Sequence, residues 1–349
     1  MKFHSRRAAA LAALTLSATV ALTGCGGDDG GSDGGSDGGD GGGELSMTML
    51  PKNLGNPYFD TSTAGAEKAA GEIGATIEEV APETGDDPAG QVPYINTAAQ
   101  QGVDALILSA NDPEALCDAV DEARSADVKV VTFDADTNPE CRDLFVNQAT
   151  AEGIASKQLE LISEQIGGSG DIAILSAAAN ATNQNAWIDM MEKELDSNPD
   201  YEGIELVDTV YGDDDDQKSF DQTEALLQNN PDLKGIISPT TVGIAAAARY
   251  LSDSDSKGKV ALTGLGTPNQ MREYVKDGTV ESFALWNPGD LGYLAAYAAE
   301  ALVNGDISGE EGDTFEAGEL GEFEVGPDAT VLLGEPFVFD KANIDDFDF

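Results

Sequence analysis

From Leu45 onward the sequence repeats one phrase: a short apolar run with β-branched residues, a polar or Gly/Pro break, then a helix-length amphipathic stretch. That alternation predicts βα units and a parallel sheet. Strands are expected at 46–50, 75–80, 105–109, 129–133, 171–175, 205–211, 235–238, 260–264 and 282–285. Helices fill most of the gaps, for example 113–126, 150–166, 185–195, 217–228 and 291–303, with Asp112 placed as an N-cap ahead of Pro113 in the first turn. So many strands exceed one small sheet, and a chain of 349 residues is long enough for two domains.

Polar residues gather just past the predicted strands. Lys52 follows the first, Asn111 and Asp112 the third, Asp134 the fourth. Asn183 and Gln184 come after the 171–175 strand and a small-residue loop; Thr240 and Thr241 follow 235–238; Trp286 and Asn287 close 282–285. Open α/β sheets bind ligands outside the carboxyl ends of their strands. Two lobes facing each other with these ends make one cleft holding a cation, a carboxylate, amides, hydroxyls and an indole. Such a mixture suits a small neutral polyol, whose hydroxyls are read by planar groups while an aromatic face covers the ring, and it suits phosphate poorly. Some of these residues also have a structural reading. Asn111 and Asp112 fit turn and cap positions, Trp187 lies within an amphipathic helix and reads as core, and Asp213–Asp216 reads as a solvated loop entering a helix N-terminus rather than a metal site. No metal and no cofactor is expected.

Composition narrows the function classes. Sixty-five Asp and Glu against 18 Lys and Arg give a net charge of -47, which excludes a basic grip on nucleic acid and suits a salt-rich habitat. The single histidine, His4, lies in a segment that reads as a leader, so Ser-His-Asp, Cys-His and His-metal chemistry are excluded from the body. That leader has Lys2, Arg6 and Arg7 before an apolar run over 8–22, the pattern of an export signal. Leu22-Thr23-Gly24-Cys25 resembles the lipobox of bacterial lipoproteins, which implies that residues 1–24 are removed and Cys25 carries the lipid. The next stretch, 26–43, holds eleven glycines, five aspartates and two serines, and reads as a disordered tether with a reach of roughly 23 Å. Export also predicts that Cys117 and Cys141 form a disulfide.

Short segments carry a family resemblance from about Leu50 to the last residue. Lys52-Asn53-Leu54-Gly55-Asn56, Ser109-Ala110-Asn111-Asp112-Pro113 and Ala181-Thr182-Asn183-Gln184-Asn185 resemble type I periplasmic sugar-binding proteins of ABC importers, in the branch of rhamnose-binding and autoinducer-2-binding proteins. Thr137–Arg142, Thr267-Pro268-Asn269, Cys117 and the ending 343–349 look like the autoinducer-2 receptors. By contrast 181–185, 239–243 and Trp286-Asn287-Pro288 look like the rhamnose binders. Lys52, Asp134, Gln184 and Pro239 match the pocket motif of the autoinducer-2 receptors, but Asn183 stands where that motif has aspartate and Thr241 where it has alanine. These departures favour a deoxyhexose, because an amide both donates and accepts.

The resemblance implies an α/β fold of two Rossmann-like parallel-sheet lobes joined by three hinge crossings, closing over a sugar and docking on a permease served by separate ATPase subunits. The expected lobes are 44–150 with about 265–288, and 151–264 with about 289–340, followed by a tail over 341–349. In this reading Asp134 and Gln184 read hydroxyls, Asn183 donates and accepts, Lys52 is a cationic donor, Tyr58 and Trp286 wall the ring, and Asn111, Pro239, Thr241 and Asn287 complete the site. The chain is expected to be a monomer anchored by lipid on the outer face of the cytoplasmic membrane, and to catalyse nothing. It has no Gly-x-x-x-x-Gly-Lys-Ser/Thr loop and no membrane-spanning run after Cys25. A carbohydrate hydrolase would need a second carboxylate facing Asp134, for which only Asp136 and Asp112 are candidates. A sugar-responsive DNA-binding regulator would need a headpiece where the leader stands.

Overall fold

The first lobe is built on a six-stranded parallel sheet in the computed structural model, which describes residues 44–349 apart from Asp86; the expected leader, Cys25 and tether lie outside the described residues. Its elements run β1 (Ser46–Leu50), α1 (Pro57–Ile73), β2 (Thr76–Glu79), α2 (Val92–Gln101), β3 (Ala105–Leu108), α3 (Cys117–Ser125), β4 (Lys129–Phe133) and β5 (Leu144–Asn147). The second lobe follows with α4 (Ala151–Ile166), β6 (Gly170–Ser176), α5 (Thr182–Ser197), β7 (Ile204–Tyr211), α6 (Asp216–Asn229), β8 (Gly235–Ser238), α7 (Thr241–Ser252), β9 (Ala261–Gly264), α8 (Pro268–Lys276) and β10 (Ser282–Leu285). The chain then returns to the first lobe with α9 (Pro288–Asn304), β11 (Thr314–Glu316), β12 (Glu322–Glu324) and β13 (Thr330–Leu332), and ends in the second with β14 (Phe337–Asp340).

The first sheet has strand order β13-β5-β4-β3-β1-β2, the second β7-β6-β8-β9, each wholly parallel. β10 joins beside β9 through a Leu265–Ala284 bridge and pairs antiparallel with β14. Burial on both faces explains why β3 and β8 read as unbroken apolar runs, every residue of both being buried. Three crossings therefore link the lobes, after β5, β10 and β13, in agreement with the expected fold class.

The assignment of the later segments is corrected. Residues 265–288 were expected in the first lobe, yet β10 extends the second sheet. Residues 289–340 were expected in the second, yet α9 packs on α1 and β13 pairs with β5. The reason is a close helix contact: a Cβ on Gly65 would sit 1.9 Å from Gly289 O, and one on Gly292 would sit 1.9 Å from Ser62 O, so glycines let α9 lie directly against α1. The 341–349 segment is also more than a tail, since Phe347 and Phe349 pack edge-on against Phe339 and Phe349 O accepts from Asn269 N at 2.9 Å. Helix α3 begins later than expected, at Cys117, although Asp112 Oδ1 still caps the preceding turn by accepting from Glu114 N and Ala115 N. The Cys117–Cys141 disulfide is present, with Cα atoms 5.3 Å apart.

Candidate functional site

Between the carboxyl ends of the two sheets lies a cavity of about 40 Å³. Most of its walls come from residues just beyond a strand or in the first turn of the following helix, where chain direction changes and side chains point out of the sheet.

From the first lobe, Asn56 caps α1 by accepting from Tyr58 N at 3.1 Å, and this fixes Tyr58 and Phe59 in the first turn facing the cavity. Asp134 follows β4 with φ 61°, a left-handed backbone that aspartate tolerates better than most residues. Its carboxylate is held at both oxygens: Tyr58 Oη donates to Oδ1 at 3.0 Å and Ser109 Oγ to Oδ2 at 2.8 Å. Lys52 Nζ stands 3.7 Å from Oδ2. Burial, and next the charge of Asp134, push the Tyr58 hydroxyl well above its ordinary pKa, so it stays a donor.

From the second lobe, α5 supplies Asn183 and Gln184 in its first turn and Trp187 one turn later. Gln184 Oε1 is committed to Ser176 Oγ at 2.7 Å and Ala177 N at 2.8 Å, which turns its amide NH₂ toward other acceptors. Asn183 spans the cleft. Its Oδ1 accepts from Lys52 Nζ at 3.3 Å while its Nδ2 donates to Asp134 O at 3.4 Å, a pairing that uses both halves of the amide. Pro239, Thr240 and Thr241 enter from the β8–α7 junction, and Leu265, Leu285 and Trp286 close the apolar side. Trp187 and Trp286 meet edge to face at 6.1 Å.

Eight of the residues expected to form the site are brought together: Lys52, Tyr58, Asp134, Asn183, Gln184, Pro239, Thr241 and Trp286. Two are not. Asn287 caps α9, its Oδ1 accepting from Gly289 N at 2.9 Å. Asn111 lies behind Lys52, donating to Lys52 O at 3.1 Å and accepting at its own carbonyl from Asn180 Nδ2 at 3.2 Å across the lobes. Asn56, Phe59, Trp187 and Asp214 line the cavity without having been expected there. For Trp187 the sequence showed only a helical apolar face, and an α5 that begins at Thr182 sets that face against the cavity as well as the core. The sequence pattern makes Asp214 a solvated loop residue. Instead it is half-buried with φ 50°, its Oδ1 takes the Thr240 hydroxyl, and its pKa is raised, first by burial, with Thr240 and Lys52 opposing the shift and Asp134 and Asp213 adding to it. Among the described residues no cluster of His, Cys, Asp or Glu has the arrangement of a metal site.

The chain's likenesses agree with this geometry. The family profile described as a periplasmic binding protein domain matches residues 47–307. A sugar ABC transporter structure from Actinomyces odontolyticus is 55% identical, covering 87% of this chain and 98% of that one, with a TM-score of 0.73. An ABC transporter solute binding protein from Clostridium phytofermentas with bound L-rhamnose is 39% identical over 87% and 98% of the two chains, TM-score 0.84. LsrB from Clostridium saccharobutylicum in complex with AI-2 is 27% identical over 87% and 100%, TM-score 0.83. The ribose import binding protein of Bacillus subtilis is 24% identical over 266 residues, 75% of this chain and 83% of that protein. With two parallel-sheet lobes closed on a small polar cavity, the chain belongs to the periplasmic binding protein family and is a binding protein rather than an enzyme.

Proposed function

We propose that this protein captures a small neutral sugar, L-rhamnose or a related deoxyhexose, in the interlobe cavity and delivers it to the permease of an ABC importer whose ATPase is a separate subunit. The carrying observation is Asn183, whose amide accepts from Lys52 and donates to the Asp134 carbonyl at once. An aspartate in that place has no N–H to donate, so the site presents a different hydrogen-bond pattern from the autoinducer-2 motif. Trp187, Trp286 and Leu285 offer apolar surface to a ring and a methyl group. The relative solved with L-rhamnose is also more similar in sequence than the one solved with AI-2. Autoinducer-2 is the second reading, supported by Lys52, Asp134, Gln184 and Pro239 at the matching positions.

In the same reading the exported chain loses residues 1–24, is lipidated at Cys25, and acts as a monomer held on the outer face of the cytoplasmic membrane. Cys25→Ala is expected to release it into the medium, and retention in the membrane fraction would refute the anchor.

The ligand test is a titration of tryptophan emission and melting temperature with L-rhamnose, other hexoses and autoinducer-2 side by side. The chain's two tryptophans both wall the cavity, so emission reports on the site alone. A micromolar binder at millimolar sugar adds about 4 kcal/mol of stability. A response to autoinducer-2 with none to any sugar would reverse the ranking.

A further inference from the structure

The acidic run after β7 divides its labour. Asp213 pairs with Lys218, Asp215 Oδ1 caps α6 by accepting from Lys218 N at 2.7 Å, and Asp216 pairs with Arg249. Asp214 alone in the run has neither a paired cation nor a helix to cap, and it lines the cavity. The loop that carries it is fixed on both sides. Gly212 N donates to Ser176 O at 2.8 Å, Asp213 N to Ala177 O at 3.0 Å, and Asp215 N to Gly212 O at 2.9 Å. Thr240, which precedes α7, makes no side-chain cap and spends its hydroxyl on Asp214 Oδ1 instead. Oδ2 has no hydrogen-bond partner among the described residues.

We propose that Asp214 is a specificity-determining residue of the sugar site: a second hydroxyl-reading carboxylate, set in the lobe opposite Asp134. The inference rests on the sugar reading above and sharpens the class of ligand. Asp134 projects from the first lobe and Asp214 from the second, with the Lys52 ammonium as the cation of the cavity wall. A guest satisfies both carboxylates only if it carries hydroxyl donors at two opposite edges, and only with the lobes shut. The ligand is therefore a polyol that bridges the lobes through its own hydroxyls, and a sugar acid meets two carboxylates against one ammonium. A half-buried carboxylate without a salt-bridge partner, held in left-handed backbone, is costly to a fold that gains nothing from it.

The test is calorimetric titration of wild type, D214A and D214N with L-rhamnose and with autoinducer-2, paired with small-angle scattering to follow closure. Melting without ligand checks folding, and D214N preserves the Thr240 contact if D214A folds poorly. D214A or, in its place, D214N is expected to bind the preferred ligand at least tenfold more weakly and to lose the ligand-induced fall in radius of gyration, and D214N to melt no lower than wild type. Three results separate the claims. Wild type silent to sugars but closed by autoinducer-2, with that closure lost in the variants, keeps Asp214 and overturns the deoxyhexose. Sugar binding and closure retained in both variants overturns Asp214 and leaves the sugar. Silence of wild type to both ligand classes overturns both.

Discussion

Trp286 Nε1 donates to the Tyr58 hydroxyl at 2.9 Å, and that hydroxyl donates in turn to Asp134 Oδ1 at 3.0 Å. The relay ties the second crossing between lobes to a carboxylate of the first lobe, so the crossing and the site share one hydrogen-bond chain. Tyr58→Phe cuts it twice, leaving a buried indole N–H without an acceptor and Asp134 Oδ1 without a donor. A loss of about 1–3 kcal/mol is expected, divided between melting temperature and ligand affinity. Because the Tyr58 pKa is pushed up, the wild-type relay stays intact across neutral and mildly alkaline pH. A Tyr58→Phe protein that melts and binds as wild type would remove the relay from the account.

Asp134 is the acceptor for two buried donors, Tyr58 Oη and Ser109 Oγ. Asp134→Ala strands both and also places alanine at φ 61°. Affinity is expected to fall by about 2 kcal/mol or more. Asp134→Asn tolerates that backbone and keeps one acceptor, so it should fold better than Asp134→Ala while still binding weakly. Equal affinity in the titration for Asp134→Asn and wild type would show that the charge is not read.

Much of this site was legible because strand ends are legible. Apolar runs such as Ala105–Leu108 and Gly235–Ser238 announce parallel strands, and whatever polar residue follows each is carried to the same edge. Lobe membership was not legible in the same way. It is decided by where α9 packs, which depends on Gly65, Gly289 and Gly292 meeting across a long separation, and by three-residue strands such as Thr330–Leu332 that carry no periodic signal. Asp214 was missed for a related reason. In sequence it is one of four consecutive acids, and only the pairing of its neighbours with Lys218, Arg249 and the α6 N-terminus shows which one is left for the cavity. Asn111 and Asn287 look like ligand amides from their position after strands, yet the Asn111 Nδ2 donates to Lys52 O and the Asn287 Oδ1 caps α9.

The two departures from the autoinducer-2 motif can be reversed together. Asn183→Asp removes the donor to Asp134 O and replaces it with a carboxylate beside the Lys52 ammonium, while Thr241→Ala removes a hydroxyl from the cavity wall. Each altered polar contact is worth about 1–3 kcal/mol in discrimination, so the double variant is expected to move the ratio of affinities toward autoinducer-2 by roughly a hundredfold. Competition between the two ligands measures that ratio directly, and an unchanged ratio would mean that these positions do not set the choice.

Cys117 and Cys141 close a loop 24 residues apart, joining α3 to the turn ahead of β5. In the chain-entropy account such a closure stabilises by roughly 3 kcal/mol. The Cys117→Ser, Cys141→Ser protein should therefore melt lower but still bind sugar, since neither residue lines the cavity. Thiol titration of the denatured, unreduced mature protein should find neither cysteine, and two reactive thiols would refute the bond.

Asp214 gives the apo protein an opposite pH response from an ordinary paired carboxylate. Its pKa is raised in the fold, chiefly by burial, so its contribution to stability is fully present below the ordinary carboxylate pKa and is lost as pH rises through the raised value. The groups facing it are Lys52 and the Thr240 hydroxyl, which favour the charged form, and Asp134 and Asp213, which oppose it. Asp277 and Asp313, whose pKa values are lowered by hydrogen bonds that outweigh burial, lose their contribution in the other direction, as pH falls. Asp214→Asn keeps the Thr240 contact and removes the buried charge. It is expected to melt above wild type at neutral pH, with the gap closing as acid neutralises the wild-type carboxyl. Melting curves of both proteins across pH decide the matter: a gap that stays constant with pH would mean the charge of Asp214 is not the cause, and its pairing within the cleft would have to be redrawn.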